Sequence, residues 1–340
     1  MTESMSSAEV ACTLEVRGLS KWYPRRARLP GRDPRPVKAV DGVSLAIAPG
    51  EILGLVGESG SGKSTTGAMI LGLERPTAGE IRFAGLGKID PGDRRIRAAF
   101  TRAAQLVFQN PYEAFNPRHS IARSILEPIE IHFPGDRATQ QRVLIQAMER
   151  AGLSPYRSFA DRLPHELSGG QLQRAAIARA ISVEPKLLVA DEPVAMLDVS
   201  IRASVLNLFR RFADELGMSI LYITHDLSTL RHLCSRVAVM YRGKIIETGS
   251  TAEVLESPAH PYSRALAASV PLLAPRGTRQ RPPRVSAEQA LARPESGCAF
   301  RPRCPMATEL CAGSAPELRS GPGGRAAACH LFEAAAERTP

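Results

Sequence analysis

The chain has 340 residues, 44% apolar and 23% charged, a balance ordinary for a folded protein and long enough for about two domains. No stretch approaches the roughly 20 uninterrupted apolar residues that a helix needs to cross a bilayer, and residues 1–10 lack the layout of a secretory signal, so a chain that stays in the cytosol and does not span a membrane is expected. The net charge of +10 admits a nucleic-acid or anionic-membrane partner, but no basic patch is interleaved with aromatics, and the charge is read as an Arg-rich solvated surface.

From residue 13 to about residue 249 short apolar runs alternate with longer helix-like stretches, the layout of an α/β domain. Residues 25–36, rich in Arg and Pro, are expected to form an exposed loop. Residues 52–56 read as a buried strand and 64–73 as the helix after it. Residues 110–167 have helical character and no clear buried strand, so a helical insert in the sheet domain is expected. Its best helix is 140–151, and Pro111, Pro117, Pro128 and Pro134 are expected to break up the rest. Two more buried strands fall at 187–190 and 220–223, and a terminal hairpin at 236–241 and 245–247 turns at Arg242, Gly243 and Lys244. Beyond residue 250 lie two short helices, 251–257 and 263–269, a basic Pro-rich linker at 275–283, and a segment of little periodicity that carries four cysteines. No internal repeat is found, which predicts one nucleotide domain and not a tandem pair.

Gly57, Glu58, Ser59, Gly60, Ser61, Gly62, Lys63 and Ser64 fit the pattern of Gly, four residues, then Gly-Lys-Ser, with Thr65 next. Glycines let successive backbone N–H groups turn inward and cradle phosphate oxygens, a lysine reaches the outer phosphates, and the serine hydroxyl can ligate Mg²⁺. The pattern has the context it needs, a strand before it and a helix N-terminus after it. A flexible glycine turn is the bland alternative. Asp191 and Glu192 stand directly after the 187–190 strand. There Asp191 can hold Mg²⁺, and Glu192 can take a proton from an attacking water, the two services phosphoryl transfer asks for. Such a pair alone is also ordinary turn chemistry. Ser168, Gly169, Gly170 and Gln171 open a strongly helical run, with Ser168 as its cap and the glycines baring N–H groups to an anion.

The last four residues are similar to the signature of the ATP-binding-cassette (ABC) ATPases, and the likeness runs from about residue 14 to residue 270 with every motif in order. The resemblance implies a P-loop ABC ATPase fold: a RecA-like core, a helical subdomain over about 110–171 and an antiparallel β subdomain, within residues 1–250. It also implies bound ATP and Mg²⁺, and a second ATPase subunit whose signature completes this chain's nucleotide site. Residue by residue, Tyr23 resembles the aromatic that stacks on adenine, with Trp22 as substitute, and Gln109 resembles the glutamine that senses the γ-phosphate and the metal. His225 resembles the switch histidine, and Asp198 the acid of the loop that crosses the dimer interface. Two positions depart from the family pattern. Ala195 and Met196 stand where Ser and Ala are common, losing a hydroxyl and gaining bulk between the two sites, and Leu172 replaces a frequent polar residue.

Within the family, residues 110–117 after Gln109 and 260–266 before the cysteines resemble the ATPase subunits of dipeptide and oligopeptide importers. That likeness implies two permease subunits, a substrate-binding protein upstream, and a place on the cytoplasmic side of the inner membrane. Nickel or another small solute stays open as cargo. A soluble cassette ATPase acting on nucleic acid or ribosomes would carry a long coiled coil or two cassettes, and neither is found. Cys12 and Cys234 are isolated and read as small apolar residues. Cys298, Cys304, Cys311 and Cys329, within the 251–340 extension, lack the close pairs of a zinc ribbon. Unliganded thiols and a metal site, zinc included, are both open on spacing; some members of the family carry an iron–sulfur cluster on matching cysteines, and likeness to those members implies a 4Fe-4S cluster.

Overall fold

The computed structural model describes residues 12–24, 36–269 and 296–332. The expected loop over 25–36 and the linker over 275–283 lie almost wholly outside them, as do residues 1–10.

Strand β1 (Leu14–Tyr23) pairs antiparallel with β2 (Val37–Ile47), Leu14 opposite Ile47 and Tyr23 opposite Val37. Next come β3 (Ile52–Val56), α1 (Lys63–Ile70), β4 (Ala78–Phe83) and β5 (Gly87–Lys88). β4 and β5 complete a four-stranded antiparallel sheet in the order β2-β1-β4-β5. Its inward residues, Leu14, Val16, Leu19, Val43, Ile81 and Phe83, bury themselves against one face of a second, larger sheet, with Met69 and Ile70 of α1 in the same core. Helix α1 stops short of the expected residue 73 because Gly72 turns left-handed at φ 69°.

The larger sheet is assembled from β6 (Ala104–Val107), which follows α2 (Arg94–Ala103), and from later strands. These are β7 (Leu187–Asp191), β8 (Ser219–Thr224), β9 (Arg236–Tyr241) and β10 (Lys244–Ser250). β9, β3, β8, β7 and β6 lie parallel in that order. Both faces are covered, so their sequences read as unbroken apolar runs: all residues of β3 and β8 are buried. Successive residues of β8 serve opposite cores, Leu221 and Ile223 toward the antiparallel sheet, Ile220 and Tyr222 toward the helices. The β9–β10 hairpin turns on Arg242 (φ 46°) and Gly243 (φ 85°), two left-handed residues that match the strands' twist.

The helical insert is present as α3 (Ile121–His132) and α4 (Arg137–Arg150), packed against α5 (Gly169–Ile181). Pro128 does not break α3. A proline at this point frees the Ser124 carbonyl four residues earlier, and Arg179 of α5 donates its Nε–H to that oxygen at 3.1 Å. Helix α6 (Val199–Leu216) lays Val205, Leu208, Phe209 and Phe212 on the same core, and α7 (Leu227–Leu233) lies between β8 and β9.

After α8 (Thr251–Glu256) and α9 (Pro261–Ala268), the cysteine segment holds α10 (Leu310–Gly313), β11 (Arg319–Ser320) and β12 (Ala326–Ala327). Contrary to the irregularity expected of it, β12 pairs with β10 and β11 with β12, extending the large sheet at its edge. Glu247, fully buried on β10, accepts the N–H groups of Ala259 and His260 at 2.8 Å each and pairs with Arg325 at 2.8 Å. A buried carboxylate is tolerable only when paired in this way.

Candidate functional site: a nucleotide-binding crevice

Four connections leave the carboxyl ends of parallel strands and meet there, the place where open α/β sheets bind ligands. The 57–62 loop follows β3, Gln109 follows β6, Asp191 and Glu192 end β7, and His225 follows β8.

In the first loop Lys63 is buried, and its Nζ donates to the carbonyls of Gly57 at 2.8 Å and Glu58 at 3.0 Å. Burial pushes its pKa down, against the pull of the Glu192, Asp191 and Glu58 carboxylates. Gly60 and Gly62 take left-handed φ of 77° and 106°. Gly62 caps α1 with no side chain, and the helix's first N–H groups carry no side-chain cap. Ser59 and Ser64 are exposed, Thr65 half-buried and Ser61 buried.

Asp191 is half-buried. Burial raises its pKa, and a hydrogen bond from the Ser64 hydroxyl draws it back. Its Oδ1 is buried without a protein hydrogen-bond partner. A buried carboxylate oxygen left unpaired beside a serine hydroxyl is a donor set suited to Mg²⁺, which takes one or two protein oxygens and completes its shell from phosphate and water. Glu192 adopts a left-handed φ of 45°, with its N–H bonded to the Ile223 carbonyl at 2.9 Å. Gln109 Nε2 donates to Glu192 Oε2 at 3.1 Å, and His225 Nδ1 lies 2.8 Å from Glu192 Oε1. Three loops thus meet on one carboxylate, beside the phosphate loop.

Ser168 caps α5 in a reciprocal pair: Gln171 N–H donates to Ser168 Oγ at 3.3 Å, and Ser168 N–H donates to Gln171 Oε1 at 3.0 Å. Ser168 and Gly169 are exposed, and Gly170 is buried against Ile201. Asp198 caps α6 by position without a side-chain bond and stands exposed between Met196 and Val199, which are 64% and 80% exposed. Among the described residues no hydrogen bond joins the 168–171 turn to the 57–65 loop. Tyr23 and Trp22 end β1 with both rings exposed, Lys21 Nζ 5.1 Å from the Tyr23 ring and Lys38 Nζ 4.9 Å from the Trp22 ring.

Cys298, Cys304, Cys311 and Cys329 line one small apolar pocket together with His260 and Phe300, all four as free thiols. Burial raises the thiol pKa of Cys298, Cys304 and Cys329, so an uncompensated thiolate is disfavoured there. Among the described residues no group of three or more His, Cys, Asp or Glu is gathered tightly enough to hold a metal ion. The four sulfurs therefore surround a shared pocket without closing on a single point.

Two residues from beyond the cassette also reach the 57–62 loop. Tyr262 Oη accepts the Glu58 N–H at 2.8 Å, and Arg303 forms a two-pronged ion pair with the Glu58 carboxylate. Tyr262 lies in the importer-like 260–266 stretch, where its position was a signal; Arg303, 245 residues from its partner, had none.

Fold and crevice together define a P-loop ATPase. The ABC transporter profile matches residues 40–195, and the profile for the oligopeptide/dipeptide transporter C-terminal region matches residues 246–311. The oligopeptide transport ATP-binding protein AppF of Bacillus subtilis is 41% identical over 96% of this chain and 100% of its own length. The dipeptide transport ATP-binding protein DppF of Haemophilus influenzae is 42% identical over 93% of this chain and 95% of its own. Among solved structures, cbiO1 of Clostridium perfringens, part of an ABC transporter complex, aligns with a TM-score of 0.62 at 27% identity, covering 73% of this chain and 92% of that one. The ATP-binding cassette MJ0796, solved as a dimer bound to ADP and Pi, aligns at 0.61 and 26%, covering 70% and 98%. The chain belongs to the ABC transporter ATPases, in the branch of the oligopeptide and dipeptide transport ATP-binding proteins.

Proposed function

We propose that this chain is one of two ATPase subunits that drive peptide uptake from the cytoplasmic side of the inner membrane. Residues 1–250 form the cassette, with 110–171 as its helical subdomain, and 251–340 the extension. Two permease subunits carry the peptide, and a separate binding protein delivers it. Among the described residues no helix is long and apolar enough to cross a membrane, which fits a subunit that docks beneath others.

The 57–62 loop and Lys63 bind the β- and γ-phosphates, Thr65 lies beside them, and Tyr23 stacks on adenine. Ser64, Asp191 and Gln109 would hold Mg²⁺, which would neutralise charge on the phosphates. Glu192 takes the proton of the water that attacks the γ-phosphorus, the bond to the bridging oxygen breaks, and ADP and phosphate leave. His225 and Gln109 hold the Glu192 carboxylate toward that water. Ser168, Gly169, Gly170 and Gln171 of the second subunit close over the triphosphate, and Asp198 meets that subunit across the interface. The observation that carries this reading is the pairing of Glu192 with both Gln109 and His225.

Glu192→Gln keeps both contacts and removes the proton acceptor. The variant is expected to bind MgATP, to hydrolyse it at least about a hundredfold more slowly, and to accumulate as an ATP-bound dimer in gel filtration. Wild-type turnover by this variant would remove Glu192 from the role.

We propose a 4Fe-4S cluster as the ligand of the four cysteines, which line one pocket as free thiols and would bind it as thiolates. Protein purified without oxygen is expected to be brown, with iron and acid-labile sulfide in equal amounts. Colourless protein holding zinc would end that assignment.

A further inference from the structure

Glu58 is held on every side. Its carbonyl accepts from Lys63 Nζ at 3.0 Å and from the Ser61 N–H at 3.2 Å, both within the phosphate loop. Its N–H goes to Tyr262 Oη at 2.8 Å, and its two carboxylate oxygens take the two terminal nitrogens of Arg303, each at 2.8 Å. The last two contacts come from outside the nucleotide fold, from α9 and from the turn between Cys298 and Cys304.

Those two side chains are themselves fixed. Tyr262 packs on Tyr241 and Phe300 with ring centres 4.6 Å and 5.5 Å apart, and the Arg303 guanidinium lies 5.8 Å from the Tyr241 ring and 5.6 Å from Phe300. Tyr241 ends β9, next to the Met240 carbonyl against which Gly57 is pressed. A loop rich in glycine has few side chains of its own with which to brace itself. Here the brace comes from the C-terminal segment.

We infer that the cysteine-bearing C-terminal segment positions the phosphate loop, Tyr262 and Arg303 holding Glu58 in place so that MgATP affinity depends on both. Arg303 also neutralises a carboxylate that would otherwise stand in an anion-binding loop. The Arg303 hydrogen bonds, with the nearby Arg242 and Lys63 cations, hold that carboxyl below the usual range. Arg303 and Tyr262 are positioning residues; neither is assigned a contact with nucleotide.

The test is MgATP binding by the full chain, measured by titration calorimetry beside the nucleotide-free melting temperature. Arg303→Met is expected to weaken binding about fivefold, the size appropriate to a part-exposed two-pronged pair, and Arg303→Lys to give an intermediate loss because it offers one donor group in place of a fork. Adding Glu58→Gln to Arg303→Met is expected to recover part of the loss, since no bare carboxylate then faces the triphosphate. A purely structural role would lower the melting temperature and gain nothing from the second change. Tyr262→Phe keeps the ring packing, loses the acceptor, and is expected to weaken binding about threefold, a read-out that stands even if Arg303→Met fails to fold. Wild-type affinity in both Tyr262→Phe and Arg303→Lys overturns the inference, as does a double variant that binds MgATP no better than Arg303→Met alone.

Discussion

A β-carbon on Gly57 would stand 2.1 Å from the carbonyl oxygen of Met240, and 2.8 Å from Ser61 Oγ. The constraint here is space and not backbone angle, because the start of the phosphate loop runs against the end of β9. Gly57→Ala must push either the loop or the strand aside, and overpacking of this kind costs about 1–3 kcal/mol. Since the displaced atoms are those proposed to cradle phosphate, the expected result is at least a tenfold loss of MgATP affinity together with a lower melting temperature. Equilibrium binding of MgATP to the purified variant checks it, and wild-type affinity would show that the loop yields without harm.

Gly169 offers the opposite case. A β-carbon there meets nothing within 4 Å, and its φ is not left-handed. Alanine should therefore be neutral or should stabilise α5 by about 0.5 kcal/mol, through its better helix propensity. If a second subunit's nucleotide packs on this turn, the same methyl group stands in the interface. Gly169→Ala is expected to melt no lower than wild type while losing ATP-driven dimerisation in the Glu192→Gln background. Normal dimers in that background would mean that nothing lands on Gly169.

These contrasts show what a sequence can carry. The 57–62 turn between β3 and α1 and the Asp191–Glu192 pair at the end of β7 were legible as places in the fold because a strand, a glycine turn and a helix are written in local spacing. Of the parallel strands, β3, β7 and β8 were legible because burial on both faces leaves continuous apolar runs, while the four-residue β6, half of it only partly buried, was not. Pro128 misled because its cost is local while its remedy, the Arg179 side chain, lies 55 residues from the freed Ser124 carbonyl. The same holds for β11 and β12, two residues each and too short for any periodicity, whose pairing is dictated by the edge of β10. Contacts across 200 or more residues, such as Tyr262 with Glu58, leave no trace in composition or period.

The tie between the extension and the cassette runs through Glu247, which is fully buried and shares its carboxylate between two backbone N–H groups and Arg325. Arg325 also donates to the Ser257 carbonyl. Removing one member of such a set strands the other without water. Arg325→Met is expected to destabilise by about 3 kcal/mol, because it leaves the Glu247 charge uncompensated. Glu247→Gln should cost less, since its amide oxygen can still accept from one of the Ala259 and His260 N–H groups and no buried carboxylate is left uncompensated. Urea unfolding of the two variants distinguishes them, and equal losses would contradict a penalty that arises from the stranded charge.

His260 sits 2% exposed at the N-terminus of α9, its Nδ1 accepting the Tyr262 N–H at 3.0 Å and its ring 5.8 Å from that of Phe300. Burial lowers its pKa to about 4, from an ordinary value of 6.5. Above pH 6.5 the imidazole is neutral folded and unfolded, and its contribution is complete. Between pH 6.5 and about 4 only the unfolded chain gains the proton, so stability falls as pH falls; below about 4 both states carry it and this loss stops. The whole effect is about 3 kcal/mol, taking 1.36 kcal/mol per pKa unit. The share due to His260 is read against a reference variant. His260→Asn keeps an acceptor for the helix cap and cannot titrate. Denaturant midpoints at pH 7.5, 6 and 5 are expected to drop more steeply for wild type than for His260→Asn, and parallel curves would show that His260 takes up its proton equally in the folded and unfolded chain.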